Sequence, residues 1–414
     1  MSYRYILLFS FMLAIFSVLD IYIWRSLKKT INPKVFKYVK WVIPLTTVLF
    51  FTGFMSNLIR SANGIMNANY ALNLMVGFSF GAFIAKLLMA IPFLLEDIKR
   101  YPLFMFKWIV KKQPRKESMP ERRKFVRNIS LGVASVPFLG TIYGITAGKY
   151  NYQLKRVPLT FSNLPKSFNG LKIVQFSDFH SGSFDDYEAV RKGLSYINER
   201  KPDIILFTGD LVNNRAGESK PFMDMLRELE APLGKFAVLG NHDYGDYVPY
   251  NSDQERIVNM KSLFDVFEYT GFDLLNNENR QIEKNGEVID IIGVENWGQD
   301  PFPQYGDLNK ATKDLPKDRF SILLSHDPDH WEYEARDFDH SFALTVSGHT
   351  HGAQFGVEIP GWEWSPVQYR YKRWMGLYKE KDQYLFVSKG FGFLGFPGRV
   401  GMSPEVIEFT FTSA

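Results

Sequence analysis

Apolar residues are spread unevenly along this chain, and that unevenness limits its folds more than any other feature. Three long apolar stretches, residues 6–24, 41–59 and 72–95, fall in the first third of the 414 residues. Each approaches the ~20 residues needed to cross a bilayer core, so each reads as a membrane-spanning helix. A fourth stretch, residues 129–147, is richer in Gly, Ser and Thr and is read as a further span. Residues 101–110 are too short to span and carry Lys107 and Trp108, which reads as an interfacial piece. The mean hydropathy of −0.15 averages over two unlike parts.

Loop charges orient such a bundle. The connector after the first span holds Arg25, Lys28, Lys29, Lys34, Lys37 and Lys40, whereas the second holds only Arg60. The third is again basic, with Lys111, Lys112, Arg115, Lys116, Arg122, Arg123 and Lys124. Basic loops stay in the cytoplasm, which places the amino terminus outside and, with a fourth span, everything after Lys149 outside as well. If the fourth stretch does not cross, that part stays cytoplasmic. Arg122-Arg123-Lys124-Phe125-Val126-Arg127 before an apolar run resembles a twin-arginine export signal, although a basic cytoplasmic flank reads the same way. No small-residue cleavage site follows, so the segment is expected to act as an anchor. Two charges fall within spans: Asp20, near a span end and expected to reach the interface, and Lys86, more central and in need of an inward-facing partner or a long snorkel.

The remainder, residues 151–414, alternates short apolar strands with amphipathic helices. Expected strands lie at residues 171–176, 203–207, 235–239, 288–292, 320–324, 344–346, 384–387 and 406–411. Residues 186–200 read as a helix with Val190, Leu194 and Ile197 on one face, and residues 223–229 as another. A βαβα start followed by more strands than helices points to an α/β or α+β layered domain. The net charge of +5 is too small to argue for nucleic acid, and much of it sits in the membrane connectors. With no cysteine, thiol nucleophiles, disulfides and thiolate metal sites are excluded.

Five of the seven histidines fall in short motifs directly after expected strands. The motifs are Ser177-Asp178-Phe179-His180, Thr208-Gly209-Asp210, Gly240-Asn241-His242-Asp243, Ser325-His326 and Ser347-Gly348-His349-Thr350-His351-Gly352. Strand ends of such a sheet gather at one edge, where ligands bind. Carboxylate oxygens and imidazole nitrogens without sulfur suit Mn²⁺, Fe or Zn²⁺, and glycines before Asp210, Asn241 and His349 allow sharp turns and close backbone approach. Asp210 is the candidate to bridge two ions ~3.5–4 Å apart. His330 and His340 lie in an acidic stretch expected to be exposed, and no role is assigned to them.

This ordered set resembles the calcineurin-like metallophosphoesterase superfamily from about Leu164 to the end of the chain, and within it the membrane-linked bacterial branch. The late Ser388-Lys389-Gly390-Phe391-Gly392 and Pro404-Glu405-Val406 support the branch. The resemblance implies a four-layer αββα sandwich of two stacked mixed sheets, preceded here by about four transmembrane helices in residues 1–150. It implies two divalent metal ions, one held by Asp178, His180, Asp210 and His351, the other by Asp210, Asn241, His326 and His349. By the same resemblance His242 contacts a phosphate oxygen or protonates the leaving group, with Asp243 fixing its tautomer. Two departures, Ala353 where a second glycine is common and the loosely matching Gly293-Val294-Glu295-Asn296, touch no expected ligand.

The expected activity is hydrolysis of a phosphate ester or pyrophosphate bond near the membrane. A lipid-linked or nucleotide-sugar-lipid substrate is favoured, of which a UDP-diacylglucosamine-type pyrophosphatase is one form; that chemistry belongs to the cytoplasmic leaflet, against an outside-facing domain. The region 247–280 and the aromatics Trp362, Trp364, Tyr369, Tyr371, Trp374 and Tyr378, near Arg373 and Arg399, are candidates to cap the site, or else are packing and surface residues. Membrane lipids are the expected surroundings, with no nucleic acid and no obligate protein partner. The alternative is a non-catalytic metal-dependent sensor or binding domain coupled to the membrane. An intact His242 argues against that alternative, because a pure binder has no need of it. A transporter with an accessory soluble domain is the weakest reading, given so few polar residues in the spans.

Overall fold

The computed structural model describes residues 3–62, 69–111 and 120–414. Two units are distinguishable, a helical one ending at Thr146 and a mixed α/β one running from Ala147 to Ala414. The helical unit comprises α1 (Tyr3–Lys28), α2 (Pro33–Ala62), α3 (Tyr70–Lys111) and α4 (Pro120–Thr146). Each contains a segment long and apolar enough to cross a membrane: Ser10–Lys28, Pro33–Asn57, Ala71–Arg100 and Glu121–Thr146. A helix pairs its own backbone groups, which hydrocarbon cannot do for it. Phe16, Phe50 and Phe51 pack inside this unit, as do Ile23, Leu27, Phe36, Ile43 and Phe93.

Residues 101–110 are not the separate interfacial piece expected from their length. They continue α3 without a break, Pro92 and Pro102 notwithstanding. Lys112, Arg115 and Lys116 of the basic connector lie outside the described residues. Arg122 and Arg123 sit in the first turn of α4, where Arg122 approaches the buried Glu96 at 3.6 Å.

Asp20 does not reach out to an interface either. It is buried, and its Oδ1 lies 2.6 Å from the ammonium of Lys86, while Oδ2 accepts from the Thr47 hydroxyl at 2.7 Å. Lys86 also donates to the Ile43 carbonyl at 2.7 Å and to Thr47 at 3.0 Å. A lone charge among apolar side chains is costly; here opposite charges 66 residues apart neutralise each other and tie α1, α2 and α3 together. Removing one partner of a buried pair costs about 3–5 kcal/mol, because the other is left unpaired.

The α/β unit is built on two six-stranded sheets. The first has β1 (Gln153–Phe161), β2 (Lys172–Phe176), β3 (Ile204–Phe207), β4 (Lys235–Ala237), β5 (Asp273–Leu274) and β14 (Glu405–Ser413), in the order β1-β14-β2-β3-β4-β5. The second has β6 (Glu278–Lys284), β7 (Glu287–Gly293), β8 (Ser321–Leu324), β9 (Leu344–Ser347), β12 (Gly376–Glu380) and β13 (Gln383–Val387), in the order β12-β13-β9-β8-β7-β6. A hairpin of β10 (Val357–Ile359) and β11 (Trp362–Trp364) forms its own small sheet. In the first sheet β2, β3, β4 and β5 are parallel, as are β7, β8, β9 and β13 in the second.

Both sheets are covered on both faces, which is why their central strands are uninterrupted apolar runs rather than alternating ones. Ile173, Ile204, Leu206, Phe236, Ile291, Ile322 and Leu344 meet between the sheets. On its outer face the first sheet carries α5 (Tyr187–Glu199), α6 (Met223–Arg227) and α7 (Asp253–Thr270), through Val190, Leu194, Ile197, Leu226, Val266 and Phe267. The short helices α8 (Leu308–Ala311) and α9 (Asp329–Tyr333) cover the second with Leu308, Ala311 and Trp331. The result is the expected αββα sandwich. Asp186 caps α5 by accepting from the Ala189 N–H at 3.0 Å, and Gly271 ends α7 at a φ of +75°. Helix α7 fills much of the region 247–280 and packs on the first sheet rather than over the strand ends.

Candidate metal centre

The five motifs leave the C-terminal ends of parallel strands drawn from both sheets. Asp178 and His180 follow β2, Asp210 follows β3 and Asn241 to Asp243 follow β4; His326 follows β8, and His349 and His351 follow β9. The chain turns abruptly there. Asp178, His180, Asp210, His349 and His351 all adopt a positive φ, between 49° and 70°, a region that non-glycine residues enter at a cost of ~1–3 kcal/mol each. Two glycines make the crowding feasible. A Cβ on Gly240 would lie 2.2 Å from Asp210 Oδ1, and one on Gly348 would lie 2.2 Å from Asp178 Oδ2. Ala353, where glycine is common in the resembling branch, also holds a positive φ, of 51°.

Donor atoms of these residues form two adjoining groups. In one, His351 Nε2 lies 3.2 Å from Asp178 Oδ1 and 3.0 Å from His180 Nε2, which lies 3.4 Å from Asp210 Oδ2. In the other, His326 Nε2 lies 3.2 Å from that same Asp210 oxygen and 3.3 Å from His349 Nδ1, which is 2.8 Å from Asn241 Oδ1. By mutual distance alone, Asp178 with His180 and His351, and Asp178 with Asp210 and His326, are sets able to hold a metal ion, and all are buried. Lone pairs of oxygens and ring nitrogens converge here, His180 Nε2 facing His351 Nε2 at 3.0 Å and His349 Nδ1 facing Asn241 Oδ1 at 2.8 Å, while His180 Nδ1, on the other side of its ring, has no hydrogen-bond partner. A cation among the converging nitrogens and oxygens would partner them together, which fits the arrangement. Oxygen and imidazole donors without sulfur suit a first-row divalent ion.

Electrostatics agree. Burial opposes ionisation of Asp210, yet His326 and His242 outweigh it and hold its carboxyl well below the usual range. Asp178 is likewise lowered, burial being overcome by His351 and His326. Burial also disfavours the His326 cation, but the Asp210 and Asp178 carboxylates raise its pKa to about 10. His349, buried and beside that cation, is pushed down to about 3.

Outer hydrogen bonds fix which ring nitrogen faces inward. The Thr208 carbonyl accepts from His326 Nδ1 at 2.7 Å, leaving Nε2 toward Asp210. His349 Nε2 meets the Tyr371 hydroxyl at 2.7 Å and lies 3.4 Å from Asp327 Oδ2, so its Nδ1 faces the cluster. Such partners set tautomer and ring orientation. Asp327 adjoins His326 in sequence, whereas only the general aromatic richness of its stretch pointed to Tyr371.

His242 stands at the rim, half-buried, its ring 5.1 Å from that of His180 and 4.6 Å from that of Tyr247. Its Nδ1 donates to the Asn213 carbonyl at 2.7 Å. That carbonyl, not Asp243, sets its tautomer, contrary to the expectation from their adjacency. The Asp243 carboxylate is turned away and accepts from the backbone N–H groups of Asp210, Leu211, Val212 and Gly240 at 2.8–3.2 Å. Burial, then the nearby Asp210 charge, push its carboxyl up to about 7 against the pull of those donors. Its role is to clamp the loops after β3 and β4.

Other expectations need correction. His330 and His340 are buried, not exposed. His330 pairs with Ser325 at 2.8 Å and stacks on Trp297, and His340 pairs with Ser321 at 2.8 Å, so both are packing residues behind β8. Arg399 is 1% exposed and spends its donors on the carbonyls of Lys389, Gly392 and Met402; it braces the loop beneath the cluster and offers nothing to a substrate. Arg373 pairs with Glu332 and Glu380. Of the candidate capping aromatics, Tyr247 and Tyr371 touch the centre, Tyr247 through a 2.8 Å bond from Asn241 Nδ2.

Comparison with known proteins converges on the same chemistry. Residues 3–149 match the family described as "Probable Calcineurin-like phosphoesterase, transmembrane domain", and residues 171–353 match "Calcineurin-like phosphoesterase". The metallophosphoesterase YkuE of Bacillus subtilis is 32% identical over 255 residues, 61% of this chain and 82% of that one. A Danio rerio "Transmembrane protein with metallophosphoesterase domain" is 26% identical, over 66% of this chain and 60% of its own length. The UDP-2,3-diacylglucosamine pyrophosphatase LpxG of Chlamydia trachomatis is 29% identical, over 50% of this chain and 72% of its own. With buried Asp and His groups able to hold metal at its strand ends and four apolar helices before them, this chain belongs to the calcineurin-like metallophosphoesterases, as a multi-pass membrane member and a hydrolase.

Proposed function

We propose that the α/β unit hydrolyses a phosphate ester or pyrophosphate bond with two divalent ions (Mn²⁺, Fe or Zn²⁺) sharing the Asp210 carboxylate. The observation that carries this reading is the single oxygen, Asp210 Oδ2, placed 3.4 Å from His180 Nε2 and 3.2 Å from His326 Nε2. On it, Asp178, His180 and His351 complete one ligand set, and Asn241, His326 and His349 the other. Bound ions would polarise the phosphoryl oxygens and supply a low-pKa water as nucleophile. The chain's own residues do the rest. Thr208 and Tyr371 keep two imidazoles aimed inward, and Asp243 holds the loops that bear Asp210 and Asn241. With its Nδ1 proton committed to the Asn213 carbonyl, His242 turns Nε2 to the rim, where it donates to a phosphate oxygen or hands a proton to the leaving group.

A lipid-linked phosphoester is the favoured substrate class, supported by four apolar helices in the same chain and by the likeness to a protein named for a lipid-linked pyrophosphate. The basic connectors after α1 and before α4 favour an extracytoplasmic catalytic unit.

Metal binding is expected to release protons. In the metal-free site the pKa of His326 is raised above its ordinary value, so its pairing with Asp210 is complete below the ordinary pKa of about 6.5 and is lost as pH rises through the folded value. A metal needs the neutral ring, so affinity should strengthen as pH rises, with ~one proton released per chain at this residue. Calorimetric Mn²⁺ titrations in buffers of different ionisation enthalpy would show the release; buffer-independent heats would refute it. The full chain in detergent should hydrolyse a chromogenic phosphodiester or phosphomonoester with Mn²⁺ and stop with chelator. His242→Ala should lower turnover by roughly 10²–10⁴-fold while keeping metal, and Asp210→Asn should lose both. A chain that binds metal and turns over nothing would instead be a binding module. For location, a reporter fused after Lys149 should be active only if it is of the kind that works outside the cytoplasm; activity from a cytoplasm-only reporter would reverse the orientation.

A further inference from the structure

The hairpin β10–β11 is amphipathic. Its register pairs Val357 with Trp364 and Ile359 with Trp362, around Glu358 paired with Glu363. Directly opposed residues of an antiparallel pair share a face, so one face is apolar and the other acidic. On the acidic face both glutamates are exposed, although Glu358 reaches the ammonium of the buried Lys389 at 2.5 Å, and Val357 and Trp364 of the apolar face are half-buried. On the apolar face Ile359 and Trp362 are 52% and 56% exposed, and Tyr369, a few residues on, is 79% exposed. A cluster of this kind on a stable unit marks a surface that something apolar covers.

Its cover is identified by how the chain enters the α/β unit. That unit begins at Ala147, directly after the helix that ends at Thr146, whose apolar segment runs to that same residue. No slack follows. Lys149 is paired with Asp185 at 2.7 Å, both nearly inaccessible, and Tyr150 bonds Asp185 and packs on Phe393. From Phe393 the contacts run to the hairpin within the same unit. The Leu394 N–H donates to Gln354 Oε1, the Val400 N–H to the Gln354 carbonyl, and the Gly356 N–H, just before β10, to the Val400 carbonyl. β1, parallel to β14 and so antiparallel to β2, starts where β2 ends, and Glu358 meets Lys389 just beyond the end of β13, so entry point and hairpin share the side on which the strands end and His349 and His351 sit.

We propose that the β10–β11 hairpin is a membrane-interface wedge, with Ile359, Trp362 and Tyr369 seated in the headgroup region of the bilayer that holds the chain's own helices. Trp and Tyr favour that layer, where a ring has an apolar body and a polar handle. Docking would turn the mouth beside His349 and Tyr371 toward lipid, so that a phosphoester reached there need not leave the bilayer. That consequence rests on the phosphoesterase reading; the docking does not.

The chain has no cysteine, so one introduced thiol reports one position. Trp362→Cys, Ile359→Cys and, at the opposite ends of the strands, Glu283→Cys would each be labelled with bimane in the full chain. Each would be reconstituted into phosphatidylethanolamine–phosphatidylglycerol vesicles. Severalfold stronger quenching at 362 and 359 than at 283 by lipid carrying a nitroxide near its headgroup, with protection from iodide on both sides, is the expected result. Iodide quenching at 362 and 359 equal to that at 283, without lipid quenching, would overturn the proposal. So would shielding from both quenchers, which would mean that a second copy covers the hairpin. Neither readout uses turnover, so failure of the catalytic reading and failure of this one are distinguishable.

Discussion

Six buried side chains, Asp178, His180, Asp210, His326, His349 and His351, bring carboxylate oxygens and ring nitrogens to within 3.0–3.4 Å of one another. Without a cation, burial opposes a proton on the His326 ring, but the Asp210 and Asp178 carboxylates favour it and raise its pKa to about 10. With one, each inward lone pair has a partner and the proton is displaced. Much of the α/β unit serves this crowding. Parallel strands from two sheets deliver the residues to one edge, small residues let backbone and carboxylate meet, and Thr208, Asn213, Tyr371 and Asp243 hold rings and loops that would otherwise turn away.

Its cost is paid in the backbone. Five of those six residues sit at a positive φ, as does Ala353 just beyond them. Strain of this kind persists only where the surroundings over-determine it. Here they are two sheets whose central strands are buried on both faces, with Phe176, Phe207 and Phe391 packed against Phe179 and Phe272 beneath the loops. A rigid apolar base and strained polar rim are two parts of one arrangement, and the rim is where chemistry can use groups fixed in advance.

What could be read in advance follows from the same physics. Central strands β2, β3, β8 and β9 were legible because burial on both faces makes them continuous apolar runs, and the motif after each marked the site. Strands β1, β6 and β12 were not, being edge strands with exposed, charged positions: β6 reads Glu-Asn-Arg-Gln-Ile-Glu-Lys, and β1 contains Pro158. Contacts between distant residues were also hidden. Nothing local links Asp20 to Lys86 or Tyr371 to His349, and adjacency misled in the case of Asp243, whose four backbone partners lie mostly in another loop. Acidic neighbours similarly suggested exposure for His330 and His340, although the rings themselves point inward to Ser325 and Ser321.

The central claim is that Asp210 joins two ions. Anomalous diffraction at the manganese edge, from crystals of the full chain grown with Mn²⁺, tests it without reference to substrate. The account predicts two peaks per chain flanking the Asp210 carboxylate, one ringed by Asp178, His180 and His351, the other by Asn241, His326 and His349. A single peak at full metal occupancy, or peaks that leave Asp210 out of both coordination spheres, would contradict it.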